Sequence, residues 1–365
     1  MPPINLLIKP ASSACNMQCR YCFYNAIAEQ RETAFMGVMS DALLEQVIEA
    51  AFSYADQYCG FTFQGGEPTL AGLAFFERTV ELQKKHNKKS VRVSNAIQTN
   101  GYAVDDAWAA FFEKNNFLVG LSLDGSADTH NINRVDRVGE PTFNRVMRAA
   151  SALQKRSVSF NILSVVTGKN ARNIEKTYNF FKKNGFRYLQ FIPCMEPLEC
   201  GRGCMPFHLG AKEYASFLIR LFDLWYQDYL KGQYVSIRHI DNLVSIVRGR
   251  EPEACNMRGR CTLQFVIEGD GSVYPCDFFV YDDWRLGNIR EVSLAEMAQS
   301  NMAQRFLAAS SELPADCREC RFLHLCRNGC ARDREHGQNH YCSSYREYFG
   351  YLLSTGRLDT LRAMR

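Results

Sequence analysis

The sequence contains no long hydrophobic run. Its longest apolar stretches, such as residues 117–121, are far shorter than the roughly 20 apolar residues that a helix needs to cross a membrane. The N-terminal residues Met1 to Asn5 also lack the charged start and the apolar core of a secretory signal peptide. We therefore expect a cytoplasmic protein with no membrane partner.

Blocks of like charge are absent too. The formal net charge is only +4, and no five consecutive residues carry charge of one sign. The densest basic stretch, residues 84–89, ends a helical pattern and is typical of a solvated helix terminus rather than of a nucleic-acid patch. With 46% hydrophobic and 22% charged residues, the composition indicates a globular protein with a full core and no nucleic-acid partner.

Cysteine, in contrast, is abundant. The 365 residues include 15 cysteines, of which three lie between residues 15 and 22 and eight between residues 255 and 342. A secreted disulfide scaffold would be shorter and would carry an export signal, whereas clustered thiols in a reducing compartment more often hold metal. The cysteines therefore predict metal sites near both ends of the chain.

The first part of the chain, to about residue 230, alternates short apolar runs with longer helical patterns. We predict strands at Ile4–Ile8, Gly60–Phe63, Val91–Ile97, Leu118–Leu123, Val158–Val166 and Tyr188–Ile192. We predict helices at Ser40–Tyr54, Leu70–His86, Asp105–Lys114, Thr142–Arg156, Ala171–Asn184 and Ala211–Leu230. Such repeats imply a parallel sheet with right-handed crossovers. At this length we favour an α/β fold with a partial (βα)6 TIM-like barrel over a doubly wound sheet, with functional residues on the loops that follow the strands.

From about residue 235 the pattern changes. Short strand signals at Gln264–Ile267 and Ser272–Tyr274 flank a Glu-Gly-Asp-Gly turn and predict a hairpin. Cysteines then dominate the remaining sequence. We therefore place a domain boundary there, with a barrel over residues 1–234 and a cysteine-rich domain over residues 235–365.

The first cysteine cluster places Cys15, Cys19 and Cys22 on a loop between a strand and a helix. A structural zinc site needs four ligands, whereas a [4Fe–4S] cluster held by three cysteines keeps one iron without a protein ligand. That iron can chelate the amino and carboxylate groups of S-adenosylmethionine (SAM). A half zinc site or incidental thiols are the alternatives, and the spacing, with Tyr21 just before the last cysteine, disfavours both.

At these residues the chain resembles the radical SAM superfamily, over the whole predicted barrel. Residues 65–68, Gly-Gly-Glu-Pro, look like the turn of that family whose backbone, at Gly66, receives the SAM amino group. The resemblance further implies contacts to the ribose or carboxylate of SAM from Ser122 and Arg134, and around its adenine from Tyr21 and Met195. Taken alone, Arg134 is better explained by a surface ion pair and Met195 by core filling.

The second cysteine region carries eight thiols in a dense order, at Cys255, Cys261, Cys276, Cys317, Cys320, Cys326, Cys330 and Cys342. Eight thiolates suit two fully ligated [4Fe–4S] clusters or two zinc sites of four cysteines each, and spacing alone does not separate these. The radical cluster upstream favours iron, because its chemistry must dispose of electrons.

This order resembles the SPASM extension of radical SAM peptide maturases, including the glycine at Gly271 before Cys276. The resemblance implies an interleaved pairing, with Cys255, Cys261, Cys276 and Cys330 on auxiliary cluster I and Cys317, Cys320, Cys326 and Cys342 on auxiliary cluster II. With four protein ligands each, the auxiliary clusters would carry electrons rather than bind substrate. The chain would then hold three [4Fe–4S] clusters.

Four cysteines remain outside these sets. Cys59 precedes a buried strand and is interpreted as a small core residue. Cys194, Cys200 and Cys204 form a C-x5-C-x3-C pattern with no fourth thiol nearby, which argues against a further cluster.

One subfamily matches more closely, the anaerobic sulfatase-maturating enzymes. The segments similar to theirs are residues 9–13, 22–24, 63–72, 274–278 and 284–289. The resemblance implies oxidation of a cysteine or serine to Cα-formylglycine within a C/S-x-P-x-R motif of an unfolded or nascent sulfatase. It also implies a reductant protein such as flavodoxin or ferredoxin.

The same resemblance implies the order of events. The deoxyadenosyl radical removes a hydrogen atom from the β-carbon of the target, a base takes the thiol or hydroxyl proton, and the remaining electron leaves through the auxiliary clusters. Asp277, which follows a cluster I ligand, is the candidate base, although an aspartate in a loop is usually solvated or ion-paired. Tyr24 is a candidate for the peptide pocket, or else a packed aromatic.

Two other functions stay open at this point. One is a maturase that makes thioether or other crosslinks in a different peptide, which the lack of a recognisable precursor-binding winged-helix domain disfavours. The other is not catalytic: an iron–sulfur electron carrier or a zinc-stabilised interaction protein. A carrier has no need of an open iron beside a Gly-Gly-Glu-Pro turn, so the first cysteine cluster favours the enzyme.

Overall fold

The computed structural model describes residues 3–197 and 201–364. Its strands are β1 (Ile4–Ile8), β2 (Tyr58–Phe63), β3 (Arg92–Thr99), β4 (Leu118–Ser122), β5 (Phe160–Val166), β6 (Tyr188–Pro193), β7 (Ser236–Ile237), β8 (Val266–Ile267), β9 (Ser272–Tyr274), β10 (Gly287–Asn288), β11 (Arg334–Glu335) and β12 (Gln338–Asn339). Short 3-10 turns lie at Pro68–Ala71, Cys255–Met257, Asp277–Phe279, Asp282–Trp284 and Ala331–Asp333.

The helices, in chain order, are α1 (Phe23–Glu29), α2 (Asp41–Tyr54), α3 (Leu73–His86), α4 (Asp106–Lys114), α5 (Ala127–His130), α6 (Phe143–Lys155), α7 (Gly168–Ala171), α8 (Ile174–Lys183), α9 (Ala211–Leu230), α10 (Arg238–Val247), α11 (Leu294–Gln299), α12 (Asn301–Ser311), α13 (Ala315–Arg318), α14 (Leu323–Cys326), α15 (Cys342–Ser354) and α16 (Arg357–Ala363). Within the described part of the chain, no helix is long and apolar enough to span a membrane.

The chain divides into two compact units. The first unit comprises residues 1–123, 130–161 and 263–306, and the second comprises residues 124–129, 162–262 and 307–365. Both units are therefore assembled from separate stretches of sequence.

The sheet of the first unit has the order β10-β9-β8-β1-β2-β3-β4. Strands β1 to β4 pair in parallel, as their alternation with helices predicts. The predicted hairpin is present as β8 and β9, which pair antiparallel. Beyond the prediction, β8 pairs in parallel with β1, Leu7 opposite Val266 and Ile8 opposite Ile267. A segment from late in the sequence thus extends the sheet beside its first strand.

Hydrophobic periodicity and capping explain the helices of the first unit. Helix α2 begins where the Ser40 side chain accepts a hydrogen bond from the Leu43 amide. Helix α4 begins in the same way at Asp105, which accepts from the amides of residues 107 and 108. The side chains that fill the core beside these helices include Leu43, Leu44, Val47, Phe61, Phe63, Phe76, Phe112 and Phe117. Burial of each such side chain contributes about 1.5–3 kcal/mol.

Several element bounds differ from the predictions by a few residues, and two of these differences have a clear local cause. Helix α3 begins at Leu73 rather than at Leu70, because Gly72 has a φ of 84° and separates the 3-10 turn at Pro68–Ala71 from the helix. Helix α1, which starts immediately after Cys22, was not predicted, since its seven residues are too few to show a helical period.

The second unit contains a smaller parallel arrangement of β5, β6 and β7. Its long helix α9 packs against α15, where Phe222 contacts Tyr348 with ring centroids 6.2 Å apart. The Tyr351 hydroxyl donates to Asp223 Oδ1 across the same pair of helices at 2.7 Å. Most of the cysteines of the second region lie in this unit, between α10 and α15.

Candidate functional site

The loop after β1 carries the first three cysteines and is held by the turn at residues 65–67. The amide of Gly66 donates to the Ser12 carbonyl at 2.9 Å, and the amide of Glu67 donates to the Ala14 carbonyl at 2.7 Å. A Cβ atom on Gly66 would lie 2.0 Å from the Ala14 carbonyl oxygen. Glycine is therefore required at this position by the close approach of the cysteine loop.

The buried carboxylate of Glu67 ties this turn to the end of β3. It accepts hydrogen bonds from the Thr99 hydroxyl at 2.8 Å and from the Asn100 amide at 2.7 Å. The Asn100 side chain in turn donates to Asn16 Oδ1 at 2.8 Å and lies 3.6 Å from the sulfur of Cys15. The carboxyl ends of β1, β2 and β3 thus form one connected site, as the loops of a parallel sheet predict.

Residues 133–137 pack along the other side of the cysteine loop. Arg20 donates its amide to the Asn133 carbonyl at 2.9 Å, and Arg137 Nε donates to the Cys15 carbonyl at 2.7 Å. The buried Arg134 lies with Nη1 4.0 Å from the sulfur of Cys19 and with its guanidinium over the ring of Tyr21. Two of the predicted SAM contacts therefore lie at the cysteine loop.

The other predicted SAM contacts are placed as follows. Ser122 is the last residue of β4, and its hydroxyl accepts from Gln98 Nε2 at 3.1 Å. Met195 is half-buried and follows β6 in the second unit. Gly66, Ser122, Arg134 and Tyr21 belong to the first unit.

The three thiols of the loop fit an iron–sulfur cluster. Cys15, Cys19 and Cys22 are half-buried, and none forms a disulfide. Burial raises the pKa of Cys15 to about 11 and also raises the pKa of Cys22, while the positive charges of Arg134 and Lys9 oppose the rise at Cys22. Such thiolates need a bound cation for their stability, which iron supplies.

Next to the loop, the buried side chain of Asp277 forms hydrogen bonds with the half-buried side chains of Tyr24 and Gln64. Its Oδ2 accepts from the Tyr24 hydroxyl at 2.5 Å and from Gln64 Nε2 at 3.2 Å. Gln64 Nε2 also donates to the Tyr24 oxygen at 2.6 Å. Burial, reinforced by the Asp277 charge, holds the pKa of Tyr24 well above its usual range, so the phenol remains a donor.

Two cations and a second carboxylate complete this group. Lys9 Nζ lies 3.2 Å from Asp277 Oδ1 and 3.6 Å from Glu268 Oε1. Arg31 donates to Glu268 at 2.7 Å. The four charged side chains are all buried, and the two positive charges of Lys9 and Arg31 equal the two negative charges of Glu268 and Asp277. Among the described residues, Asp277 Oδ1 contacts the Lys9 ammonium but accepts no hydrogen bond, and because a carboxylate oxygen has two lone pairs it can take a proton while this contact remains.

Hydrophobic packing brings Asp277 and Tyr24 together. Helix α1, which carries Tyr24, contributes Ile27 to a buried cluster with Val266, Tyr274 and Val280. Phe23 and Phe278 also meet edge to face, with centroids 5.2 Å apart. Four of these side chains have no role predicted from the sequence: Lys9, Gln64, Arg31 and Glu268. A usable signal existed for three of them, because Lys9, Gln64 and Glu268 directly follow β1, β2 and β8.

In the second unit, four cysteines surround one cavity. The cavity is lined by Cys317, Cys320, Cys326 and Cys342 together with Phe322, Tyr345 and Arg346. Burial, reinforced by the neighbouring thiols at Cys342, Cys317 and Cys320, raises the pKa of Cys326 to about 11. These are the ligands predicted for auxiliary cluster II, and they fit it.

The ligands predicted for auxiliary cluster I are divided between the units. Cys330 lies in the second unit, where burial and then the charge of Asp333 raise the pKa of its thiol, with smaller contributions from Cys255 and Cys261. Cys276 is buried in the first unit, immediately before Asp277. No three His, Cys, Asp or Glu side chains within residues 3–197 and 201–364 converge on a single metal ion.

The remaining cysteines have structural surroundings. Cys59 is buried in β2, as expected of a core residue. Cys194 is buried and donates from its sulfur to the Phe207 carbonyl at 3.2 Å. The sulfur of Cys204 lies 3.9 Å from Glu196 Oε1, and Cys200 lies outside the described residues.

Comparison with known proteins now decides the family. The profile of the Radical SAM superfamily matches residues 10–181, and that of the SPASM iron–sulfur cluster-binding domain matches residues 255–321. A cysteine-type anaerobic sulfatase-maturating enzyme of Clostridium perfringens is 47% identical over 359 residues, which cover 97% of both chains. The chain belongs to the anaerobic sulfatase-maturating enzymes.

Other sulfatase-maturating enzymes support the assignment. A serine-type enzyme of Bacteroides thetaiotaomicron is 33% identical over 96% of this chain and 89% of its own. The solved structure of native anSMEcpe with bound AdoMet and the Cp18Cys peptide superposes with a TM-score of 0.94 at 45% identity, covering 99% of both chains. The predicted α/β fold, a radical SAM domain followed by a SPASM domain, is confirmed.

The chemistry of the chain follows from this membership. It is a radical SAM oxidoreductase that converts a cysteine or serine of a sulfatase polypeptide to Cα-formylglycine. Its cofactors are SAM and three [4Fe–4S] clusters, as predicted. The interpretations as a crosslinking maturase or as an electron carrier are thereby set aside.

Proposed function

We propose that this sulfatase-maturating enzyme prefers a cysteine target and uses Asp277 as the base that removes the thiol proton. The hydrogen bonds that Tyr24 and Gln64 donate to the buried Asp277, with its second carboxylate oxygen able to accept a proton, are the observation that carries the role of Asp277. The preference for cysteine is supported by 47% identity to a cysteine-type relative, against 33% to a serine-type relative.

Within this proposal, the cysteine loop and the residues around it bind the radical cluster and SAM. Cys15, Cys19 and Cys22 hold the radical cluster, which with SAM supplies the radical that removes a hydrogen atom from the target β-carbon. Gly66, Ser122, Arg134, Tyr21 and Met195 bind SAM. Arg134 is suited to the SAM carboxylate because its buried guanidinium already lies at the cysteine loop.

After the hydrogen atom has been removed, the target must still lose a proton and an electron. Asp277 Oδ1 takes the thiol proton, while Tyr24 and Gln64 hold Oδ2 and keep the carboxylate oriented. Loss of a hydrogen atom, a proton and one electron converts the CH2–SH group to a thioaldehyde, and water then releases sulfide and forms the aldehyde. Cys276, next to Asp277, belongs to auxiliary cluster I with Cys255, Cys261 and Cys330. The electron therefore leaves close to the base.

The proposal also covers the second auxiliary cluster, the electron donor, the cellular location and the domain boundary. Cys317, Cys320, Cys326 and Cys342 hold auxiliary cluster II. A reductant protein such as flavodoxin or ferredoxin supplies the electron for SAM cleavage. The enzyme acts in the cytoplasm on unfolded or nascent sulfatase, without nucleic acid or membrane partners, and the boundary between its radical SAM and SPASM domains lies near residue 235.

A peptide assay tests the target and the base together. Reconstituted enzyme is incubated anaerobically with SAM, reductant and matched Cys-x-Pro-x-Arg and Ser-x-Pro-x-Arg peptides, and products are followed by mass spectrometry. We expect faster formylglycine formation from the cysteine peptide. Equal or faster conversion of the serine peptide would contradict the preference.

The same assay with Asp277→Asn isolates the base. The asparagine keeps the shape of the side chain but cannot take the proton, so formylglycine should fall by ~10²–10⁴-fold, the usual contribution of general-base catalysis. A peptide deuterated at the β-carbon should still transfer label to deoxyadenosine. Asp283→Asn, which changes an exposed carboxylate nearby, serves as the control. Output from Asp277→Asn within a few-fold of wild type removes Asp277 from the mechanism.

A further inference from the structure

Lys9 is a buried cation in direct contact with the proposed base. Only 2% of its surface is exposed. Its ammonium lies 3.2 Å from Asp277 Oδ1 and 4.6 Å from the centroid of the Tyr24 ring. A lysine is rarely buried to this degree unless it is paired, so its position between these two groups needs an explanation.

The backbone around Lys9 fixes the start of its side chain. The Lys9 amide donates to the Ile267 carbonyl at 2.8 Å, which continues the pairing of β1 with β8. The side-chain stem then passes over Gly65, where a Cβ atom would come within 3.1 Å of the Lys9 Cβ and Cγ atoms. The backbone and the first side-chain atoms of Lys9 are therefore fixed by their neighbours, and they direct the ammonium towards the Asp277 carboxylate.

Arg31 provides an internal comparison. It is the second buried cation of the same group, and it donates to Glu268 at 2.7 Å and to the Ala34 carbonyl at 2.7 Å. Its ion-pair contact is with Glu268, whereas Lys9 contacts both Glu268 and Asp277. Balancing buried charge would explain both cations equally. Of the two cations, Lys9 is the one that contacts the base and is therefore able to orient it.

We propose that Lys9 is a positioning residue for the oxidation. Its ammonium holds the Asp277 carboxylate in the one orientation that leaves Oδ2 on Tyr24 and Gln64 and presents Oδ1 to the target proton. The inference rests on the proposed role of Asp277 as the base. Lys9 itself touches neither the peptide nor SAM in this scheme, and it acts through the carboxylate.

Two charge-balanced double variants test the proposal. Lys9→Met with Glu268→Gln removes one cation and one carboxylate, so no net charge is left buried, and Asp277 loses its cation. Arg31→Met with Glu268→Gln removes the same charges but leaves Lys9 on Asp277. The two proteins therefore differ in whether the base is held, and iron content and circular dichroism establish that both are folded.

The readout is the ratio of formylglycine to deoxyadenosine, which loss of folded protein does not change, because unfolded enzyme makes neither product. We expect this ratio to fall about tenfold or more in Lys9→Met/Glu268→Gln, the order expected for a misplaced catalytic group. We expect it to stay within about threefold of wild type in the Arg31 double variant. The double variant Lys9→Arg/Glu268→Gln should recover part of the ratio that Lys9→Met/Glu268→Gln loses, because arginine again places a cation beside Asp277. Equal ratios in the two double variants overturn the proposal.

Asp277→Asn separates failure of this inference from failure of the proposed function. If Lys9 acts through the base, adding Lys9→Met to Asp277→Asn should lower the ratio no further, since the two residues act as a unit. If Asp277→Asn lowers the ratio by ~10²–10⁴-fold while the Lys9 double variant stays within about threefold of wild type, the Lys9 inference alone is wrong. If Asp277→Asn keeps wild-type output, the base assignment itself is wrong.

Discussion

Replacement of Gly66 by alanine should separate the role of close packing at the cysteine loop from the role of backbone flexibility. The added Cβ would lie 2.0 Å from the Ala14 carbonyl oxygen, whereas real Cβ contacts essentially never fall below 3.0 Å. The Ala14 carbonyl, one residue before Cys15, must therefore move by about 1 Å or more, the difference between these distances. That displacement reaches the first ligand of the radical cluster.

The cost can be worked from the contacts. Overpacking of this kind costs about 1–3 kcal/mol. The hydrogen bonds from the Gly66 amide to Ser12 and from the Glu67 amide to Ala14 are strained at the same time, and each contributes about 1 kcal/mol. The expected loss is about 3–5 kcal/mol, a large share of the 5–15 kcal/mol by which a typical domain is stable.

Denaturant unfolding of the anaerobic, cluster-free protein measures this free energy, and Gly72→Ala is the matched control. Gly72 has a φ of 84° and a ψ of 156°, but no atom lies within 4 Å of the point where a Cβ would stand, so that variant carries backbone strain alone, about 1–3 kcal/mol. After reconstitution, Gly66→Ala should also cleave SAM about a hundredfold more slowly, as expected for a ligand displaced by about 1 Å. A free energy of unfolding within about 1 kcal/mol of wild type, with normal iron content, would refute the steric argument.

Three further predictions concern the metal sites and the pH dependence of stability. Anaerobically prepared protein should be brown and contain about twelve irons per chain, and stoichiometric zinc with little iron would contradict this. Replacement of Cys15, Cys19 and Cys22 by alanine should abolish deoxyadenosine formation, whereas Cys326→Ala should lower peptide oxidation more than SAM cleavage, both measured by chromatography of the products. Burial lowers the pKa of His239 from 6.5 to about 4. Between these two pH values the imidazole is therefore protonated in the unfolded chain and neutral in the folded chain. The free energy of unfolding should therefore decrease as the pH falls from about 6.5 towards 4, and His239→Gln should flatten that part of the profile.

The periodic elements of the barrel were predictable because their signals are local. Strand β1 and helix α9 have the predicted bounds, and β4 begins as predicted and ends one residue earlier. Each is long enough, or apolar enough, for its period to show in the sequence. The cysteine ligands were predictable for a similar reason, because their spacing is read directly along the chain.

The surroundings of the base were not predictable in this way. The β8–β9 hairpin has a clear turn signal, but nothing in its residues specifies β1 as its next neighbour in the sheet. That pairing places Glu268 beside Lys9, and together with the packing of Phe23 and Phe278 it brings Lys9 beside Asp277. The family resemblance indicated Asp277 as the candidate base. The tertiary structure was needed to show which charged side chains lie next to it.

The same pairing has a consequence for biosynthesis. Tyr24 and Asp277, which share a hydrogen bond, are 253 positions apart in sequence, and Arg31 and Glu268 are 237 positions apart. Contacts this distant carry a large loop-closure cost and form late and slowly. During translation, the cysteine loop leaves the ribosome long before the segment that carries the base. The growing chain therefore exposes its radical-cluster thiols while the group that completes the oxidation is still missing, and the nascent enzyme is able to oxidise a sulfatase only after most of its own synthesis is finished.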